Sequence, residues 1–493
     1  MTSDQVNVLF LASEAAPFIK VGGLGDVAGS LPVAINNLSR GTNHTPKIEV
    51  RLVIPFHSAI RHTFESVQLI HTLDVPHPQG NIPARVYLTI HNHLYVYLIE
   101  GNSFLTDSPV YSSNPAIDAE KYTFFSLVVL ELVKKMDWKP NILHANDWHT
   151  ALSLHLLRDL ARHEALFKEI RSIISIHNLP YLGAGAENAL ADYGIQPSSD
   201  PLLPEWARMF PLPLGIAAAD KILTVSPNYA HEILTPEFGC GLQDYLKSRL
   251  SDVSGILNGL DTTFWNPEED TAITARFNSN QLDERKKNKA AIQAEFGLAQ
   301  QPDVPLIILI SRMDQQKGVD IAINGLLKMS KFQWQAIFLG SGDPILESAC
   351  RSLEQEYPDR VRAVIQFDGN LSRRLYSAGD MILIPSRYEP CGLTQMIGMH
   401  YGCIPVARAT GGLIDTITDT PDYSKKTGYL FKEPTPDSFI GALKKAITDY
   451  HHETNWKMMQ TNGMKLDFSW EKSAQKYLDL YMDLMFNPKI RSE

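Results

Sequence analysis

At 493 residues the chain exceeds the size at which one hydrophobic core keeps growing, so two domains of roughly 200 to 250 residues are expected. Hydrophobic residues at 44% and charged residues at 20% carry no disordered or fibrous bias. A formal charge of -10 argues against a basic face for nucleic acid or anionic membrane, and favours a neutral substrate or a small anion held by a few placed cations.

The opening MTSDQVNVLFLAS lacks a basic n-region and enters an apolar strand at once, unlike a secretory or transit peptide, so a cytoplasmic protein without a leader is expected. In the first half VNVLFLAS, NILHA, SIISI, KILTVS and VSGIL are short apolar runs, each followed by a polar or glycine-containing loop and a helical pattern. That alternation predicts a parallel sheet with helices on both faces. After Asn266-Pro267 the stretch EEDTAITARFNSNQLDERKKNKAAIQAEFGL is dense in charge and lacks strands, and predicts a solvated, helical connection between domains. PLIILIS, QAIFLG, AVIQF, MILIPS and IPVAR then repeat the alternation, and SWEKSAQKYLDLYMDLMF reads as a terminal helix with core aromatics. The predicted class is α/β, two doubly wound domains in tandem at 1–262 and 263–475, with a C-terminal helix at 476–493. Apolar runs such as SLVVLELV fall far short of the roughly 20 residues of a membrane helix. Cys240, Cys350, Cys391 and Cys403 show no CxxC pair or metal spacing and are expected as free thiols.

Ligands of such sheets bind at the carboxyl ends of strands, so the loops there carry the chemistry. The first strand enters EAAPFIKVGGLGDVAGS, where Gly22, Gly23 and Gly25 open a helix with Asp26 near its start and Lys20 just before. Two readings stand for this loop: amides and helix dipole aimed at an anion, or close strand–helix packing. ILHA leads to Asn146-Asp147-Trp148-His149, and SIISI to His177-Asn178. Asp147 reads as a site carboxylate or a helix cap, and His177 as a ligand-binding or a structural imidazole. PLIILI ends in Ser311-Arg312-Met313-Asp314-Gln315-Gln316-Lys317-Gly318, two cations five residues apart, suited to a departing diphosphate or else a solvated turn. After MILIPS, Glu389 is trailed by Cys391, Gly392, Leu393 and Thr394 at a helix start, where a carboxylate could bind sugar hydroxyls and amides hold phosphate or ribose. No Asp-x-Asp pair stands at a strand end to hold a divalent ion, so no metal is expected.

KVGGLGDV, HNLPYLG, TVSPNYAHEI, ILNGLDTTFWNP, SRMDQQKG, GSGD and EPCGLTQMIGMHYGCIPVARATGGLIDTI occur in the order of the glycogen and starch synthase family, which the chain resembles over nearly its whole length. The resemblance implies two Rossmann-like domains facing a central cleft, of GT-B type, with the C-terminal helix crossing back to the first. It further implies cofactor-free, retaining transfer of glucose from a nucleotide sugar, ADP-glucose in the bacterial and plant branch, to an α-1,4-glucan. Lys20, with Gly22, Gly23 and Asp26, would lie near the diphosphate; Arg312 and Lys317 would bind it. His177 would hydrogen-bond the transferred glucose, Glu389, with Cys391, Gly392 and Leu393 nearby, would orient it, Asp147 would sit near the acceptor, and Asn178, Asn258 and Thr394 would bind substrate. Two departures from the family pattern stand out. Before Gly215 an Asn and a Lys are replaced within Phe210-Pro211-Leu212-Pro213-Leu214, and Leu182 stands where a polar residue is common. They motivate a rival reading as a catalytically weak glucan-binding paralogue; a second rival is a related nucleotide-sugar transferase with another acceptor.

Overall fold

Every run read as a strand above becomes one in the two sheets of a computed structural model that describes residues 5–41, 46–63, 66–101 and 109–486, while SLVVLELV lies in the helix Pro115–Lys135. The chain divides into one unit of Met1–Gly259 with Trp470–Glu493 and a second of Leu260–Ser469. In unit 1 the strands are β1 (Gln5–Leu11), β2 (Lys47–Pro55), β3 (Gln68–Val75), β4 (Ile82–His91), β5 (Leu94–Glu100), β6 (Ile142–Asn146), β7 (Arg171–Ile176), β8 (Lys221–Thr224) and β9 (Val253–Gly255). Their order is β3-β4-β5-β2-β1-β6-β7-β8-β9. From β5 to β9 all neighbours are parallel. The β3–β4–β5 arm is antiparallel.

Unit 2 holds β10 (Leu306–Ile310), β11 (Gln335–Gly340), β12 (Val361–Ile365), β13 (Met381–Ile384), β14 (Ile404–Arg408) and β15 (Tyr429–Phe431). Their order, β12-β11-β10-β13-β14-β15, is the Rossmann order, and every pair is parallel. The strand order reverses between β1 and β6 in unit 1 and between β10 and β13 in unit 2. At such a reversal adjacent connections leave toward opposite faces of the sheet and open a crevice at the carboxyl ends.

Three features go beyond the sequence reading. The outer strands of the arm alternate buried and exposed residues, as in QLIHTLDV of β3, because one face is wet, so they lack the continuous apolar run of the central strands. The helix Trp470–Phe486 begins ahead of the expected 476, since Trp470 and Ala474 already belong to the unit 1 core. Gly259 lies so close that a Cβ there would stand 2.6 Å from the Cα of Trp470. Tyr477 and Tyr481 are buried in that core, and Tyr481 OH lies 2.8 Å from His144 Nδ1.

The charged stretch after Pro267 is a correction: it does not merely float in solvent. Its helix Arg285–Glu295 buries Arg285, whose guanidinium donates to the carbonyls of Tyr401 at 2.9 Å and Gly379 at 2.5 Å. Asp270, also buried, accepts from Tyr401 OH at 2.6 Å and from Arg373 Nε at 2.9 Å. Charge density there serves internal pairing, which composition alone does not distinguish from solvation. None of the four cysteines is in a disulfide. Among the described residues no helix is long and apolar enough to cross a membrane.

Candidate functional site

The crevice of unit 2 is filled by loops that follow β10, β11, β13 and β14. Lys317 comes from the first and Glu389 from the third, and they meet across the point of strand reversal: Lys317 Nζ lies 2.9 Å from Glu389 Oε1 and 2.7 Å from Oε2. Ser386 Oγ donates to Glu389 Oε2 at 2.9 Å. The side chains are only 20% and 9% exposed, so the pair is held largely out of water. Asp314 caps the turn below, its Oδ1 accepting from Lys317 N at 3.0 Å, and its Oδ2 lies 3.3 Å from Arg312 Nη2. Arg312 differs from its partner on the loop, since its side chain is 63% exposed and available to an incoming anion.

Glycines set how closely these loops pack. Gly318 has φ 65° and a Cβ there would stand 2.1 Å from the carbonyl oxygen of Pro385, while Gly411 has φ 45° and a Cβ would stand 2.0 Å from that of Glu389. Only glycine meets both demands, and their close contacts bring the β10 and β14 loops against the loop carrying Glu389. Cys391 is buried, Gly392 takes φ 72°, and Leu393 precedes the helix Thr394–His400, which no side chain caps.

In unit 1 the reversal point lies between β1 and β6. Asp147 opens the helix Asp147–Leu160 with φ 53°, a left-handed conformation uncommon for a residue with a Cβ. Its Oδ1 accepts from the amides of His177 at 2.7 Å and Asn178 at 3.3 Å, which ties the end of β6 to the loop after β7. Burial raises its carboxyl to about 7, against the lowering effect of those two amides, and nearby Glu14 adds to the rise. His177 Nε2 stands 2.9 Å from Asn146 Oδ1, and burial lowers the imidazole to about 4, so it is neutral at pH 7. Asn178 Oδ1 and Asn258 Oδ1 are buried acceptors without a hydrogen-bond partner. Asn258 stands after β9, apart from this cluster in the chain.

The glycine-rich loop behaves differently from either reading of the sequence. Glu14, buried at the end of β1, accepts from the amide of Gly22 at 3.0 Å and also from that of Val21, so a carboxylate of the chain itself occupies the donors expected to face an anion. Tyr111 OH donates to Glu14 Oε1 at 2.8 Å. Gly23 opens the helix Gly23–Gly41, and half-exposed Lys20 pairs with Asp26 at 2.7 Å. Glu14 and Tyr111 are the residues that sequence reasoning passed over; a carboxylate directly after the first strand of a doubly wound sheet was the available signal. Among the described residues no three His, Cys, Asp or Glu side chains gather as a metal ion would require.

The departures at Leu182 and Phe210–Leu214 are one packing feature. Leu212 N donates to Leu182 O at 3.2 Å, and Pro211–Ala218 form a wholly buried helix. Gly215 approaches the helix that begins at Asp147 so closely that a Cβ would stand 2.6 Å from that of Ala151.

Two family models match consecutive parts of the chain, a starch synthase catalytic domain over residues 7–248 and glycosyl transferases group 1 over residues 292–462. Glycogen synthases of Streptococcus pneumoniae, strains 70585 and CGSP14 among them, are 35% identical over 491 residues, covering 97% of this chain and 100% of theirs. The solved catalytic domain of starch synthase IV from Arabidopsis thaliana, bound to ADP and acarbose, superposes with a TM-score of 0.85 at 30% identity, over 97% of this chain and 99% of that one. A sucrose-phosphate synthase from Thermosynechococcus elongatus shares the fold at a TM-score of 0.61 and 18% identity, over 97% and 99% of the two chains. With full-length identity to glycogen synthases and both halves matched, the chain belongs to the glycogen and starch synthase family of GT-B glycosyltransferases.

Proposed function

We propose that the chain transfers glucose from ADP-glucose to the non-reducing end of an α-1,4-glucan, with retention at the anomeric carbon, in the cytoplasm. The observation that carries this is the Lys317–Glu389 pair at the reversal point of unit 2, within a family whose relatives are glycogen synthases and whose solved neighbour binds ADP and acarbose. Arg312 and Lys317 hold the diphosphate and stabilise the negative charge that grows on it as the glycosidic bond breaks. Glu389 binds the glucose and supports positive charge at its anomeric carbon. The neutral groups of unit 1, His177 and Asn178, accept hydrogen bonds from sugar hydroxyls, Asp147 holds their loop near the acceptor, and Lys20, Asp26 and Asn258 add substrate contacts.

Glu389 has Lys317 and Ser386 at its carboxylate rather than a second carboxylate, which supports front-face attack over the two-carboxylate double displacement of retaining glycosidases. The acceptor 4-hydroxyl attacks as the C1–O bond breaks on the same face, the bond pair leaves with the diphosphate, and a diphosphate oxygen takes the hydroxyl proton. The apolar stretch Phe210–Leu214 is explained by its packing against the helix at Asp147, so it gives no separate support to an inactive paralogue.

ADP-glucose and UDP-glucose offered side by side with glycogen, with and without EDTA, test this reading. Radiolabelled glucose is expected to enter α-1,4 linkages from ADP-glucose, unaffected by chelation. Transfer to a phosphorylated sugar instead of glycogen, or activity restored only by Mg²⁺, overturns it.

A further inference from the structure

Asn146 ends β6 with 1% of its surface exposed, and its side chain bridges two loops. Its Nδ2 donates to the carbonyl of Leu11, the last residue of β1, at 2.9 Å. A backbone carbonyl only accepts, so that contact fixes which end of the amide is nitrogen and leaves Oδ1 toward His177 Nε2, 2.9 Å away. An amide oxygen also only accepts. The hydrogen of the neutral imidazole must therefore sit on Nε2, and Nδ1 carries a lone pair. The asparagine itself is anchored: its backbone N–H donates to Thr150 Oγ1 at 2.6 Å, and that hydroxyl donates to the Asn146 backbone carbonyl at 2.9 Å.

We propose that Asn146 is a positioning residue that locks His177 in the Nε2–H tautomer, so that Nδ1 is presented as an acceptor for a hydroxyl of the sugar being transferred. The identity of that sugar rests on the glucosyltransferase reading; the tautomer does not. The next residue agrees with the same polarity, because Asn178 Oδ1 is a buried acceptor that lacks a donor. Acceptors on two consecutive residues favour a ligand rich in O–H groups over one whose matching positions carry only oxygen acceptors, such as a phosphate ester. Two neighbours leave the ring's second nitrogen uncontested: His144 is held neutral by burial, with nearby His177 lowering it further, and Asp147 binds the backbone of His177 rather than its ring.

The test reads the tautomer directly. In protein labelled with ¹⁵N-histidine, with the His177 signals identified by their loss in His177→Gln, the long-range ¹⁵N–¹H spectrum at pH 7.5 is expected to show the hydrogen on Nε2. Asn146→Ala should shift hydrogen toward Nδ1 and lower kcat about tenfold, the order of one hydrogen bond to substrate, with a smaller change in the KM for donor. A wild-type spectrum with hydrogen on Nδ1 overturns the proposal whether or not the variants fold, as does an Asn146→Ala protein with an unchanged tautomer. If wild-type protein shows Nε2–H but transfers no glucose, the reaction assignment fails and the lock stands.

Discussion

At the reversal point of unit 2 an ammonium meets a carboxylate directly, whereas at that of unit 1 the polar groups beside β6 and β7 are buried and largely neutral. The same topology thus carries two kinds of chemistry. Lys317 and Glu389 form an ion pair held largely out of water, which on the proposed reading meets a departing diphosphate and a developing oxocarbenium ion. His177, Asn178 and Asn146 offer dipoles and lone pairs, which suit a sugar that never becomes charged at its remote hydroxyls. Glu14, which follows β1, is engaged by loop amides and Tyr111, so its carboxylate organises the loop. A crevice at strand ends specifies where a ligand sits; the loop residues decide whether it is held by charge or by hydrogen bonds.

The sharpest way to break this comparison is to remove the charges. Arg312→Ala and Lys317→Ala should each lose on the order of 10²–10³ in kcat at saturating donor, and Glu389→Gln should lose most of the rate while remaining folded. Arg312→Lys should restore only part, since an ammonium lacks the planar two-pronged contact. The two alanine variants should differ in stability. Arg312 is mostly exposed and its loss should leave Tm nearly unchanged, while Lys317→Ala strands a carboxylate that is 9% exposed and should cost about 3 kcal/mol, relieved in Lys317→Ala/Glu389→Gln. Near-normal turnover in both folded alanine variants would reduce the loop to a solvated turn.

Stability against pH sharpens the neutral side. Burial lowers His57 to about 4, His144 to about 3 and His177 to about 4, below the ordinary 6.5. Between about 4 and 6.5 the unfolded chain therefore binds more protons than the folded one, so stability is full above pH 6.5 and is lost as pH falls through that window. Asp147 has the opposite sign. Its carboxyl, raised to about 7, keeps a proton that the unfolded chain gives up from 3.8 upward, so its contribution is lost as pH rises from 3.8 to about 7. Urea unfolding of unit 1 should accordingly weaken in acid by on the order of 3 to 5 kcal/mol per histidine at most, and Asp147→Asn should gain stability over wild type as pH rises to 7. A variant that gains nothing there places Asp147 as an ionised group at neutral pH.

The smallest effects belong to the backbone. Gly411→Ala and Gly318→Ala each combine a left-handed φ with a carbonyl oxygen in the way, and about 1 to 3 kcal/mol of strain should appear as a lower Tm. Gly369→Ala, where nothing lies within 4 Å of the added Cβ, should leave Tm nearly unchanged. Equal behaviour of the three would mean that the unit 2 loops do not need their close approach.

The central strands were legible because a parallel strand covered on both faces must be apolar throughout, and VNVLFLA or PLIILI admits little else. The arm at β3 and β4 was not, since an edge with one wet face shows only weak alternation. Strand ends also pointed to Asp147, His177, Lys317 and Glu389 as candidates, because a doubly wound sheet binds ligands at the carboxyl ends of its strands. Residue order could not reveal that Lys317 and Glu389, 72 positions apart, form an ion pair. Nor could it show that Glu14 takes the amides of the glycine loop, or that Pro211–Leu214 is apolar because it lies buried against the helix at Asp147. Apolar pattern and loop composition are local properties, and the sequence by itself determined the class, the two halves and the candidate loops. Which carboxylate faces a cation, which faces amides and which is raised by burial depend on neighbours brought from distant strands, and only the tertiary structure decided those.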